Sequence, residues 1–251
     1  MTYPGTIQVN LEGKVAIVTG AGRGIGRAVA ESFVSAGAAV VAVDILESVM
    51  TTEERFLSHW HGHKADVSKP EEVSSLVDCC VSKVGTPDIL INVAAISTPS
   101  LVKEMTLDNW RTNIDVNLTS VFLCAQAVLP YMIDKKSGSI ISFSSVIART
   151  GGENSAHYSA AKAGIESFSK SLAREVGPYG VRVNVVSPGI IETKMLELMP
   201  DQQKQSLIKR LPLRRVGYPN DLVGLPLFLV SDSGSYITGQ TIHVNGGLFM
   251  D

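Results

Sequence analysis

The apolar run Val15-Ala16-Ile17-Val18 leads into Thr19-Gly20-Ala21-Gly22-Arg23-Gly24-Ile25-Gly26, and Arg27-Ala28-Val29-Ala30-Glu31-Ser32-Phe33-Val34 follows with helical spacing. A strand, a glycine turn and an amphipathic helix in that order admit few folds. Glycines let the backbone turn sharply and approach a pyrophosphate, whose charge the first amides of the helix then hold. The same turn can also join strand to helix with no ligand. A second apolar run, Ala39-Val40-Val41-Ala42-Val43, ends in Asp44, 18 residues after Gly26. That is close to the roughly 20-residue spacing at which a carboxylate meets a ribose in such units, and it favours a dinucleotide site.

The rest of the chain continues the alternation. Strands are expected near residues 14–19, 39–43, 62–65, 88–92, 138–143, 181–186 and 240–244. Helices are expected near 24–36, 70–84, 107–132, 155–177 and 220–231, with a short element around 47–57. Alternating strands and helices predict an α/β fold: a Rossmann-like, doubly wound parallel sheet of about seven strands with helices on both faces. Ligands bind such sheets beyond the carboxyl ends of the strands, where Gly20, Asp44, Asp66, Asn92 and Ser145 all fall. With 251 residues and 45% hydrophobic content, one domain over residues 1–251 is expected, with a loose arm at 1–10. A net charge of −2 gives no electrostatic case for nucleic acid or anionic membranes. No signal-like opening and no apolar run approaching 18 residues is present, so a cytoplasmic protein is expected. Cys79, Cys80 and Cys124 lack metal or disulfide spacing and read as small apolar residues of packed helices.

Tyr158 and Lys162 stand four residues apart at the start of a predicted helix, and Ser145 lies 13 residues before Tyr158. An i,i+4 spacing puts a phenol and an ammonium on one helical face. A nearby cation favours the phenolate, which suits Tyr158 to moving a proton to or from an alcohol oxygen. Ser145, at the end of an apolar strand, can hydrogen-bond the same oxygen. Alone, such a pair also occurs on ordinary helix surfaces.

Together the two ends resemble the short-chain dehydrogenase/reductase family in its single-domain form, from about residue 10 to 249. Gly20, Gly24 and Gly26 match that family's cofactor turn, with Arg23 and Ile25 between and beside them. The resemblance implies adenine contacts at Asp66-Val67 and cofactor contacts at Asn92, Ala94, Pro188, Gly189, Ile191 and Thr193. It implies a catalytic tetrad of Asn117, Ser145, Tyr158 and Lys162, with Lys162 also holding the nicotinamide ribose and Asn117 holding a water. One departure stands out: Asn92-Val93-Ala94-Ala95 replaces the usual Asn-Asn-Ala-Gly. The family also implies a substrate loop with short helices over residues 189–217 and a homotetramer.

Asp44 should accept bonds from ribose hydroxyls and repel a 2′-phosphate, so NAD(H) is expected over NADP(H), with Arg23 arguing the other way. Candidate substrate residues are Ser97, Val146, Ala148, Arg149, Asn154, Ile190 and Met195. Arg149 can bind a substrate anion, or else lie salt-bridged or solvated. His157 should point about 100° away from Tyr158 on a helix. His59-Trp60-His61-Gly62-His63 places its histidines on one face of a strand but shows no local carboxylate or cysteine partner, and no metal is expected. The last third, with Tyr236-Ile237-Thr238-Gly239-Gln240 and Asn245-Gly246-Gly247, resembles the 3-oxoacyl-carrier-protein reductase branch, whose members generally use NADPH. The leading expectation is an NAD(H)-dependent interconversion of a secondary alcohol and a ketone. The others are an NADPH-dependent 3-oxoacyl-thioester reductase and a non-catalytic cofactor-binding regulator.

Overall fold

Seven parallel strands form one sheet in the computed structural model, which describes residues 9–197 and 201–250. The strands are β1 (Val15–Thr19), β2 (Ala39–Asp44), β3 (Trp60–Lys64), β4 (Ile89–Asn92), β5 (Gly138–Phe143), β6 (Val181–Pro188) and β7 (Thr241–Val244). They lie in the order β3-β2-β1-β4-β5-β6-β7. Chain order reverses at β1, so β1 and β4 pair across the switch, with Ile17 opposite Leu90 and Thr19 opposite Asn92. In open sheets of this kind the crevice outside that switch receives the ligand. The arm expected at residues 1–10 falls almost wholly outside the described residues.

The strands read as continuous apolar runs because both faces are buried. Ala16, Val18, Val40, Ala42, Ile89 and Ile91 face one layer, with Val29, Phe33 and Leu229. Val15, Ile17, Val41, Val43 and Leu90 face the other, with Leu76, Cys80, Cys124, Val128 and Leu172. The first layer holds α1 (Gly24–Ser35) and α9 (Gly224–Val230). The second holds α2 (Pro70–Lys83), α4 (Ser120–Lys135) and α6 (Ala156–Val176). Burial pushes the Cys80 and Cys124 thiols up to about 12, which leaves them inert packing groups.

The helix expected over 107–132 is one continuous run in three parts. α3 (Leu107–Ile114) passes through a π turn, Asp115–Thr119, into α4. Leu107–Lys135 spans 29 residues and holds an 18-residue stretch of mean hydropathy 1.5, long and apolar enough to cross a bilayer. Its α4 portion instead packs on α2, β4 and β5, as a core helix does. α5 (Ile147–Thr150) was not expected, while α7 (Lys194–Glu197) and α8 (Asp201–Arg210) fall within 189–217, where the resemblance implies short helices.

The histidine tract forms edge strand β3, where His61 and His63 pair with Val41 and Val43. Their imidazoles are held below the usual histidine value, chiefly by burial. Trp60 donates its indole N–H to Val49 O at 2.9 Å, and the Arg27 guanidinium stacks 4.5 Å above its ring. No group of three or more His, Cys, Asp or Glu among the described residues could hold a metal ion.

Gly26 shows how tightly helix and strand meet: a Cβ there would lie 2.1 Å from Gly20 O. At Gly224, the first residue of α9, a Cβ would meet nothing within 4 Å. Gly26→Ala is therefore expected to destabilise the protein by at least about 2 kcal/mol. Gly224→Ala should stabilise it by roughly 0.4–1 kcal/mol through the unfolded chain. Urea unfolding of the two variants beside the parent checks both.

Candidate active site

Thr19 and Gly20 fasten the end of β1 to the exit of β4. The Thr19 hydroxyl accepts the N–H groups of Val93 at 3.1 Å and Ala94 at 3.2 Å. Gly20 has φ +69°, and a Cβ there would lie 2.8 Å from Ala94 N, so only glycine fits. Val93 packs its side chain on the apolar layer that holds α1. The departure from Asn-Asn-Ala-Gly thus exchanges a polar side chain for apolar packing while the backbone anchor to Thr19 stays. Asn92 is buried and donates to the Ser142 hydroxyl at 3.3 Å across β4 and β5.

At the start of α1, the N-cap residue Arg23 makes no side-chain cap and the first turn holds no acid. The N–H groups of this turn fit an anionic group of a bound dinucleotide. Asp44 closes the other side. Its carboxylate accepts the N–H of Gly22 at 2.9 Å and of Leu46 at 3.0 Å, while the Ser48 hydroxyl donates to Gly22 O at 2.9 Å. The glycine turn is thereby tied to the end of β2. Arg23 is exposed and has no ion pair among the described residues. Asp66 lies beside Asp44 beyond β3, its carboxylate accepting from Ser68 N at 2.9 Å and Ser68 Oγ at 2.7 Å. Val67 is buried in the layer that holds α2.

On the far side of the switch, β5 ends at Phe143 and the chain turns through Ser144 and Ser145 into α5. Lys162, fully buried on α6, donates its ammonium to Phe143 O at 2.8 Å. Its Nζ lies 5.6 Å from the centre of the Tyr158 ring. Ser145 Oγ accepts Ile147 N–H at 3.4 Å and also faces the Tyr158 hydroxyl. Asn117 sits within the π turn, fully buried. Its amide donates to Ile96 O at 3.0 Å and Asn113 O at 2.9 Å, and its carbonyl accepts Ile96 N–H at 3.2 Å. These bonds join the π turn to the loop after β4.

The segment after β6 returns over the glycine turn. Gly189 donates to Val244 O at 3.1 Å, and a Cβ on it would lie 2.7 Å from Asn245 Cα. Pro188 O accepts Val146 N–H at 2.9 Å, and Ile190 O accepts Gly217 N–H at 2.9 Å. Ile191 is buried and bridges to Gly217. The Thr193 methyl stands 3.6 Å from where a Cβ on Gly24 would be. Residues from both ends of the chain therefore surround one crevice.

A family model described as enoyl-(acyl carrier protein) reductase matches residues 20–249. A Salmonella typhimurium 3-oxoacyl-[acyl-carrier-protein] reductase, FabG, is 42% identical over 243 residues, covering 96% of this chain and 100% of the relative. The FabG proteins of Escherichia coli and Thermotoga maritima are 41% and 38% identical, each over 96% of this chain and 100% and 99% of their own length. The chain belongs to the short-chain dehydrogenase/reductase family.

Against the substrate residues expected from the family pattern, the structure is selective. Val146 is buried and Ser97 half-buried beside the loop that Asn117 holds. Asn154 is exposed, with φ +59°, and its carbonyl accepts Ser100 N–H at 2.8 Å. The side chain of Met195, on α7, lies outside the described residues. Arg149 is salt-bridged: its Nε lies 2.6 Å from Glu166 Oε2. The other Glu166 oxygen accepts the Ser144 hydroxyl at 3.0 Å, and that hydroxyl also lies 3.0 Å from Lys162 O. A buried carboxylate is thereby paired and hydrogen-bonded, as burial requires. Sequence reading missed Glu166, though it follows Tyr158 and Lys162 at the same four-residue interval, on the same face.

The electrostatics reverse one expectation. Burial pushes the Tyr158 phenol up to about 12, with Ser145 opposing it, and pushes the Lys162 ammonium down to about 7. Desolvation, rather than attraction between the pair, sets both groups here. The consequence for stability has a definite sign. Between about pH 7 and 10.5 the unfolded chain keeps a proton on Lys162 that the folded chain has lost, so stability rises with pH across that window. Below about 7 the Lys162 contribution is gone. Above pH 10 an unfolded tyrosine ionises while Tyr158 stays protonated to about 12, so its contribution falls there. Lys162→Met should flatten the rise between pH 7 and 10, read as unfolding free energy from urea titrations of ligand-free protein.

Proposed function

We propose that this chain reduces the 3-oxo group of an acyl thioester to a secondary alcohol, using a nicotinamide cofactor. The observation that carries the reading is the meeting of Ser145, Tyr158 and Lys162 beside the glycine turn, in a chain alike over its whole length to relatives named for that reaction. The cofactor, when bound, supplies the hydride. The amides of Gly24, Ile25 and Gly26 would hold its phosphates, Asp44 its adenine ribose, Asp66 and Val67 its adenine, and Lys162 its other ribose. Asn92, Ala94, Pro188, Gly189, Ile191 and Thr193 would line the nicotinamide side. The protein's own part is to hold the carbonyl and give it a proton. A phenol kept neutral by burial is a suitable donor. Tyr158 gives its proton to the carbonyl oxygen as the carbon is reduced, and Ser145 donates to the same oxygen and stabilises its developing charge. The tyrosinate that remains recovers a proton from solvent.

The cofactor proposed is NADH. If Asp44 holds the adenine ribose, a 2′-phosphate would crowd it. At about 4 Å and an effective dielectric near 20, one pair of unit charges is worth ~4 kcal/mol. A quarter of that approaches a tenfold preference. Asp44 also favours a second reading, the NAD-linked interconversion of a small secondary alcohol and its ketone. We further propose a single cytoplasmic domain assembled as a homotetramer, which the exposed Trp110 and Phe122 on α3 and α4 support. Light scattering on a sizing column tests the assembly.

Initial rates of acetoacetyl-thioester reduction with NADH and with NADPH decide between the readings. Turnover with NADH is expected. Thioester reduction only with NADPH would remove the Asp44 argument, and turnover only on small ketones or alcohols would favour the second reading. Tyr158→Phe should lower kcat by roughly 10²–10⁴-fold, and near-normal turnover would defeat the assignment. Asp44→Ser should move the NADPH-to-NADH ratio of kcat/KM towards NADPH by about tenfold or more.

A further inference from the structure

His157 immediately precedes Tyr158 and is fully buried, which a residue on the outer face of a helix would not be. Both its ring nitrogens are engaged. Nδ1 accepts the backbone N–H of Tyr158 at 2.9 Å. Nε2 lies 2.9 Å from Thr98 O and 3.2 Å from Thr98 Oγ1. The N–H of Tyr158 lies in the first turn of α6, where amides have no intrahelical partner. The N-cap residue Ser155 makes no side-chain cap. His157 does that work from inside the helix.

The tautomer follows twice over. An Nδ1 that accepts an N–H carries no proton, so the neutral ring carries it on Nε2. Independently, the single hydroxyl proton of Thr98 goes to Asn109 Oδ1 at 2.7 Å, so Nε2 must donate, and Thr98 O is its acceptor. Thr98 Oγ1 also accepts from Asn113 Nδ2 at 3.3 Å, and Asn113 Oδ1 accepts from Asn117 Nδ2 at 3.0 Å. A continuous path therefore runs from the backbone of Tyr158 through His157, Thr98 and Asn113 to Asn117. Two points of the loop after β4 are clamped by it, Ile96 through Asn117 and Thr98 through His157, with Ser97 between them.

We propose that His157 is a positioning residue: as the neutral Nε2–H tautomer it fixes the first turn of α6, and so Tyr158, relative to the 96–98 loop that borders the substrate. The kinetic part rests on the thioester-reductase reading above; the structural part does not. His157→Asn keeps a carbonyl that can accept the Tyr158 N–H but does not reach Thr98. His157→Gln reaches Thr98 with an N–H but leaves Tyr158 N–H uncapped. His157→Phe removes both contacts and keeps the ring volume.

Amide hydrogen exchange of ligand-free protein reads each contact without any substrate. The Asn variant should lose protection in 96–98 alone, the Gln variant in the first turn of α6 alone, and the Phe variant in both. On acetoacetyl thioester, kcat of the Phe variant should fall at least about tenfold while the NADH Kd stays within about twofold. The Asn and Gln variants should each fall less. Exchange like the parent's in the Asn and Gln variants, or protection lost evenly across the chain, would overturn the proposal. So would localised exchange with kcat within twofold in the Phe variant. If the parent protein turns over no thioester, the reductase reading fails, and the exchange pattern still decides the clamp. If the Phe variant does not fold, the Asn and Gln pair decides it.

Discussion

The amine of Lys162 is taken out of water and given one protein acceptor, the carbonyl of Phe143 at the end of β5. That contact sets the depth at which α6 lies on the sheet. Desolvation makes it a costly place for charge, and the lowered ammonium pKa is the sign of that cost. Around it the chain uses a paired charge instead: Glu166, one turn further along α6, is matched by Arg149 and Ser144 from the segment that carries Ser145. The hydroxyl of Ser145 and the phenol of Tyr158 come from elements more than ten residues apart, and their mutual position depends on this seam. Truncating either partner of a buried ion pair leaves an uncompensated charge, so the seam resists change on both sides.

A second seam joins α6 to the switch point. The π turn at Asp115–Thr119 gives α3 and α4 slightly different faces, and Asn117 turns fully inward there. π turns inside α-helices often mark functional positions. Here the turn lets one amide side chain satisfy both backbone groups of Ile96, a job that needs closer approach than a regular helix face gives. His157 and Thr98 extend the same bonding to the start of α6. α6 is thus held at Lys162 by the sheet and at its first turn by the loop after β4.

Much of this was legible beforehand, for identifiable reasons. All seven strands were expected because a parallel sheet buried on both faces writes itself as apolar runs, and the glycine turn because no side chain fits at Gly20 or Gly26. The π turn was hidden because one extra residue in a long helix leaves the 3.6-residue pattern almost intact. The pairing of Arg149 with Glu166 spans 17 residues and depends on how α5 packs on α6, which no local spacing reveals. His157 was read from helix geometry as pointing away from Tyr158. It does point away, but into a buried polar seam. Direction alone could not distinguish that seam from solvent, since the loop that completes it comes from 59 residues earlier.

Under the proposed function, Asp44 would serve fold and specificity together. Its two oxygens already accept backbone N–H groups from Gly22 and Leu46, which fixes the carboxylate against the glycine turn. A carboxylate offers about four lone-pair sites, so two remain for the hydroxyls of a ribose. A cation brought near by a flexible arginine would have to offset a negative charge that cannot swing away. Arg23, exposed at the N-cap of α1, has the freedom that Asp44 lacks, and ordering its side chain costs roughly 2 kcal/mol of rotamer entropy. On the proposed reading, the fixed charge would weigh more on the choice of cofactor than the exposed one.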